Sequence, residues 1–178
     1  MTAPEFSRPV RIDTLGGQPR TLEVAATAGE RAALVGRFGL LGLDRLEAVL
    51  AVSRNDEEVR VAGTLRAEVV QACVASAAPV PASLDLPFEI LFRPPPAAGR
   101  PDEEVELGED ELDVVFYDKA EIDLGEAVAE TLSLNLDPYP RAPDADAVLR
   151  AAGVQREGEE EKETPFAALA GLKDRLGK

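Results

Sequence analysis

The stretch that decides the fold is VRVAGTLRAEVVQACVAS, residues 59–76. Val59, Val61, Leu65, Val69 and Cys73 share its odd positions, while Arg60, Thr64, Arg66 and Glu68 hold even ones. Apolar–polar alternation of period two marks a strand with one face in a core and the other in water. Gly63 interrupts the pattern and predicts a bulge or bend. Cys73, on the apolar face, reads as an inert core residue rather than a reactive thiol. Immediately upstream, LDRLEAVLAVS places Leu46, Ala48, Leu50 and Val52 on one face, and the polar RNDEE at 54–58 reads as a turn. Downstream of AAPVPAS, Leu84, Leu86, Phe88, Ile90 and Phe92 alternate with Asp85, Pro87, Glu89 and Arg93. Pro87 has no N–H to give a ladder, so it belongs at an edge or a bulge. Alternating strands joined by short turns predict an antiparallel meander.

The flanks supply the helices. RPVRIDTLGGQPRTLEVAAT, residues 8–27, reads as two short strands around a Gly-Gly turn, with Val10 and Ile12 in the first and Leu22 and Val24 in the second. AGERAALVGRFGL follows as a short helix with Ala33, Leu34, Phe38 and Leu41 near one side and Gly39 close to its end. VVFYD, residues 114–118, has brief strand character. In EIDLGEAVAETLSLNLDPYPRAP, residues 121–143, Asp123 is placed to cap a helix and Glu126 to reach back in a capping box. Leu124, Val128, Leu132 and Leu136 recur every fourth residue as a stripe that packs on the sheet. Pro138 disfavours helical geometry at Asp137, which ends the helix there. The expected fold is therefore α+β over residues 1–150. An antiparallel sheet, flat or curled into a partly open barrel, is covered by the 123–136 helix and carries an acidic mobile loop at 94–112. Residues 151–163 form a charged linker of disordered type. Residues 164–178 form a C-terminal amphipathic helix with Thr164 as cap, Pro165 in the first turn, and Phe166, Leu169, Ala170 and Leu172 on one side.

Composition narrows the function by exclusion. The net charge is −15, yet residues 1–101 carry 12 acids and 11 bases, while residues 102–126 carry 12 acids against Lys119 alone. The acidity belongs to one segment, and it suits a basic protein partner better than phosphate. With no histidine and one cysteine, neither a zinc site nor a histidine-based catalytic triad can be assembled. No phosphate-binding loop motif occurs, and no apolar stretch approaches the ~20 residues of a membrane helix. The N-terminus lacks the pattern of a secretory signal, so a cytoplasmic protein without cofactor and without enzymatic activity is expected. Arg45, Arg60, Arg66 and Arg93 would form an RNA-binding patch if they share a face of the sheet, although Glu47, Glu68, Asp85 and Glu89 dilute it.

The order of these parts resembles a known family. Two blocks are the most specific: IDLGEAVAETLSLNLDPYPRAP, and the terminal PFAALAGLK at 165–173. Together with VVQACVASAAPVPASLDLPFEILFRP, they are similar to the YceD family of large ribosomal RNA subunit accumulation proteins, in particular its alphaproteobacterial branch. The resemblance spans roughly Glu5 to Lys173. It implies a non-enzymatic factor that supports 23S rRNA accumulation and large-subunit assembly, binding pre-rRNA or a basic ribosomal protein within a pre-ribosomal particle, with no membrane and no DNA involved. It points to Tyr139 and Arg141, held outward by Pro138 and Pro140, and to Phe166, Leu169, Leu172 and Lys173 as partner-binding residues. A plain helix stop with Tyr139 packed on the core is the competing reading of that block. Many members carry Cys-x-x-Cys where this chain has Cys73-Val74-Ala75-Ser76, which puts in doubt any metal or redox role for it. The other reading is a generic interaction module, or one enclosing a small apolar ligand in a cavity lined by Val61, Leu65, Phe88 and Ile90.

Overall fold

The computed structural model describes residues 4–95, 114–117 and 120–154. The acidic run at 102–113 and the C-terminal segment with Phe166, Leu169, Leu172 and Lys173 lie outside the described residues.

Three long strands make the frame: β3 (Gly42–Asn55), β4 (Glu58–Ala72) and β5 (Pro79–Arg93). They form an antiparallel meander in which Asn55 faces Glu58 and Ala72 faces Pro79. The first turn is tight because Asp56 takes left-handed backbone angles, with φ of 54°, which Asp tolerates better than most residues. β2 (Arg20–Ala25) adds antiparallel to β3, and β6 (Val114–Phe116) adds parallel to β5. The order is β2-β3-β4-β5-β6, an open sheet not closed into a barrel.

Gly63 corrects the expected bulge. The register runs unbroken through it on both sides, and the irregularity falls between Leu43 and Arg45 instead. Gly63 is required by close approach, since a Cβ there would sit 2.0 Å from the Val49 carbonyl oxygen.

The alternation holds as read. Leu46, Ala48, Leu50, Val52, Val59, Val61, Leu65, Val69 and Phe88 are all buried, on the face that helices α1 (Ala28–Phe38) and α2 (Leu124–Leu134) cover. In α1, Leu34 is buried and Phe38 partly so, but Ala33 and Leu41 are exposed. Leu41 lies beyond the helix, which ends on left-handed Gly39. The N-terminal strand pair is not a hairpin. β1 (Pro9–Arg11) pairs instead with β7 (Glu121–Asp123) across more than a hundred residues, and Ile12 enters a short 3-10 turn.

The IDLGE block is where that long-range pairing is locked. Asp123 caps α2 by accepting the N–H groups of Gly125 (3.0 Å) and Glu126 (3.2 Å). It also accepts the Arg8 N–H (2.7 Å) and the Ser7 hydroxyl. Gly125 lets the N-terminal strand pass at contact distance, because a Cβ would meet Phe6 O at 2.7 Å. Glu126 does not close a capping box. Its carboxylate is taken by Arg37 of α1 in a two-point ion pair (2.7 and 3.0 Å). The capping box belongs to α1, between Thr27 and Glu30. α2 also stops three residues before the proline signal, with Asn135 as its cap and its side-chain amide donating to Thr131 O.

The open edge of β5 is blunted. Tyr117 of the β6 segment donates to the Arg93 carbonyl (2.9 Å), so odd-numbered β5 residues turn their main-chain groups away from β4. Pro79, Pro81 and Pro87 are odd and remove donors from that edge, which discourages strand addition.

Candidate partner-docking site

α2 runs into Leu136-Asp-Pro-Tyr-Pro-Arg141, and this exit is pinned to the end of the β4–β5 hairpin. The Gln71 side-chain amide donates to the Asp137 carbonyl (2.8 Å), and Val74 N–H donates to the Pro140 carbonyl (2.9 Å). Between these anchors, the Asp137 carboxylate accepts the Tyr139 N–H (2.8 Å), forming a side-chain turn. Pro138 and Pro140 fix their own φ, and Pro140 is buried. The chain is thus held at both ends of the four-residue span 137–140, and Tyr139 stands at its crest, 75% exposed. The alternative in which Tyr139 packs on the core is excluded.

Behind the crest lies a small second cluster of Cys73, Ala142 and Ala145, separate from the main core. Ala145 opens α3 (Ala145–Ala151), a helix that the sequence reading did not single out. The Cys73–Ala78 turn closes on itself through Cys73 N–H to Ala78 O (2.8 Å) and Ala77 N–H to Cys73 O (2.8 Å), with Ala77 left-handed. Hydrogen bonds from the Ala142 main chain and then the Ser76 hydroxyl hold the Cys73 thiol down to about 7, overcoming the upward pull of burial. The Ser76 hydroxyl therefore serves as a hydrogen-bond partner to the Cys73 thiol. Among the described residues, no group of three or more His, Cys, Asp or Glu is placed to hold a metal ion. Arg141 is exposed and pairs loosely with Asp146 (3.4 Å), a surface contact that leaves its guanidinium largely available. Val74, whose N–H makes the Pro140 bond, is also exposed.

The four sheet arginines do share one face, the one turned from the helices. Cross-strand pairing sets Arg45 opposite Glu68, Glu47 opposite Arg66 and Arg66 opposite Asp85. Each arginine already has a carboxylate: Arg45 takes Glu47, Arg60 takes Glu89, Arg66 takes Asp85 (3.2 Å) and Arg93 takes Glu58 (2.6 Å). That face carries a neutralised lattice of charge. Of the four residues proposed to line a ligand cavity, Val61, Leu65 and Phe88 are packed in the core, and Ile90 reaches a surface hollow.

Fold and site together define an α+β protein, an open sheet covered on one face, with a rigid aromatic corner at one end. The family model described as large ribosomal RNA subunit accumulation protein YceD matches residues 61–173, well over half of the chain, and the chain belongs to that family. The family description carries a role in ribosome biogenesis, in accumulation of the large-subunit RNA. The chain finds no match among the curated proteins or the solved structures. No helix among the described residues is long and apolar enough to cross a membrane.

Proposed function

We propose that this chain is a non-enzymatic, cytoplasmic ribosome biogenesis factor that supports 23S rRNA accumulation by docking a basic ribosomal protein at the Tyr139 corner. The observation that carries this reading is the presentation of Tyr139. A large aromatic on a doubly anchored span loses little entropy on binding, which is what makes such residues anchors of interfaces. Arg141 beside it supplies a directional donor fork. Charge favours protein over RNA. The candidate cationic face is internally paired, and the net charge of −15 opposes phosphate at long range. It also steers a basic partner inward.

Affinity capture from growing cells with the wild-type chain and with Tyr139→Ala, each with and without ribonuclease, tests this. The expected result is co-purification of large-subunit proteins that survives ribonuclease and drops at least tenfold in the variant. Capture that ribonuclease abolishes would assign the site to RNA. Capture indifferent to Tyr139 would remove the corner from the interface.

A further inference from the structure

Two surface hollows run together along α2 and β6. The first, about 420 Å³, is lined by residues including Pro87, Ile90, Val115, Glu130 and Leu134; the second, about 210 Å³, includes Phe116, Glu121 and Glu126. They meet at Val115 and Glu130, which line both. The floor of this groove is apolar and open: Leu134 is 85% and Phe116 57% exposed. Its rim carries Glu89, Glu121, Glu126 and Glu130, and no described lining residue is basic. Arg60 and Arg37 pair Glu89 and Glu126 from outside the groove, so Glu121 and Glu130 carry the rim's remaining negative charge. Burial, and then Glu126, push the Glu130 carboxyl upward, with Arg37 opposing. Pro87 removes a main-chain donor at the adjoining edge of β5. An occupant that reads as an amphipathic helix is held there by side chains rather than by strand addition.

The same chain carries a segment of matching chemistry. TPFAALAGLKDRLGK, residues 164–178, puts Phe166, Leu169 and Leu172 on one side of a sequence-predicted helix and bears Lys173, Arg175 and Lys178 against Asp174 alone. The nine residues 155–163 that join it to the last described residue, Val154, span up to ~30 Å. Tethering makes the encounter intramolecular, at an effective concentration on the order of millimolar. We infer that residues 164–178 dock as a helix in the groove between β6 and α2 of their own chain, with Phe166, Leu169 and Leu172 on the Leu134–Phe116 floor. Lys173, Arg175 and Lys178 face the glutamate rim. This stands apart from the Tyr139 corner, and it turns the residues expected to bind a partner into an internal strap.

The test uses the full chain, with Cys73→Ser and Ala167→Cys carrying a nitroxide on the side away from the apolar stripe. Amide signals of Val114–Phe116 and Thr131–Asn135 are expected to lose at least roughly half their intensity by paramagnetic relaxation, as a bound helix requires, while Thr21 and Glu47 on the far face keep theirs. Adding Leu169→Glu and Leu172→Glu should restore the groove signals. Groove signals at full intensity in the labelled chain overturn the inference. So does equal loss when labelled chain is mixed with unlabelled, isotope-enriched chain, because that outcome places the segment in a second copy. In the unaltered protein, zero-length carbodiimide coupling should join Lys173 or Lys178 to Glu89, Glu121 or Glu130 within one chain. Coupling confined to other acids contradicts it.

Discussion

Gly63→Ala and Gly36→Ala make the same chemical change and should move stability in opposite directions. At Gly63 the added methyl would stand 2.0 Å from Val49 O, 2.9 Å from Val49 C and 3.0 Å from Leu50 Cα. All three atoms are main chain of β3, so no rotamer change relieves the clash. β4 is laddered on both sides, to β3 and to β5, so relief means prising open the centre of the sheet. Overpacking a core typically costs about 1–3 kcal/mol, and this rigid contact belongs at or above the top of that range. A domain of this size has only about 5–15 kcal/mol to lose. Gly36 is interior to α1, and a methyl added there would meet nothing within 4 Å, so alanine should gain about 0.5–1 kcal/mol from helix propensity. Urea unfolding with comparable slopes measures both. A Gly63→Ala variant within about 0.5 kcal/mol of wild type would refute the close approach as the reason for glycine, and a destabilised Gly36→Ala would refute the reading of Gly36 as an open helical position.

Other consequences can be checked on the same material. Asp123→Ala removes a helix cap and the anchor of Ser7 and Arg8 together; a loss of about 1–2 kcal/mol or more is expected by denaturant unfolding, where a cap alone contributes about 1. The Glu30 carboxyl is held down to about 2, first by its hydrogen bonds from Arg8. A depressed folded pKa contributes stability above the unfolded value near 4.5 that is lost as pH falls through about 2. The stability gap between wild type and Glu30→Gln, read by unfolding at a series of pH values, should therefore be full at pH 7 and close across that window. Ser76→Ala removes a donor to the Cys73 thiolate, so the pH midpoint of Cys73 alkylation should rise, and an unchanged midpoint would contradict the assigned hydrogen bond. Tyr139→Ala should leave stability within about 0.5 kcal/mol, as for exposed side chains generally.

The long strands and α2 were legible because burial imposes periodicity on them. One buried face forces period two in β3, β4 and β5, and one buried stripe forces the Leu124, Val128, Leu132 spacing. What the sequence hid depends on distant partners. The β1–β7 pairing joins residues 9–11 to 121–123, and no local pattern encodes it. Glu126 sits three residues after its cap in both a capping box and a cross-helix ion pair, and only the position of Arg37 decides between them. Gly63 looked like a defect in a strand, yet its cause is the neighbouring backbone. The exit of α2 was visible as a rigid proline-flanked motif, but the outward stand of Tyr139 came from Gln71 and Val74, sixty-odd residues earlier in the chain. Thr27 and Glu30 stood in the right spacing for a capping box and could have been read as one.

The most direct measurement is the ratio of 23S to 16S rRNA in a bacterial strain depleted of its own copy and supplied with wild-type or Tyr139→Ala protein at equal levels. The account predicts that depletion lowers the ratio, that wild type restores it, and that the folded variant does not. Full restoration by Tyr139→Ala, or a normal ratio without any copy, would contradict it.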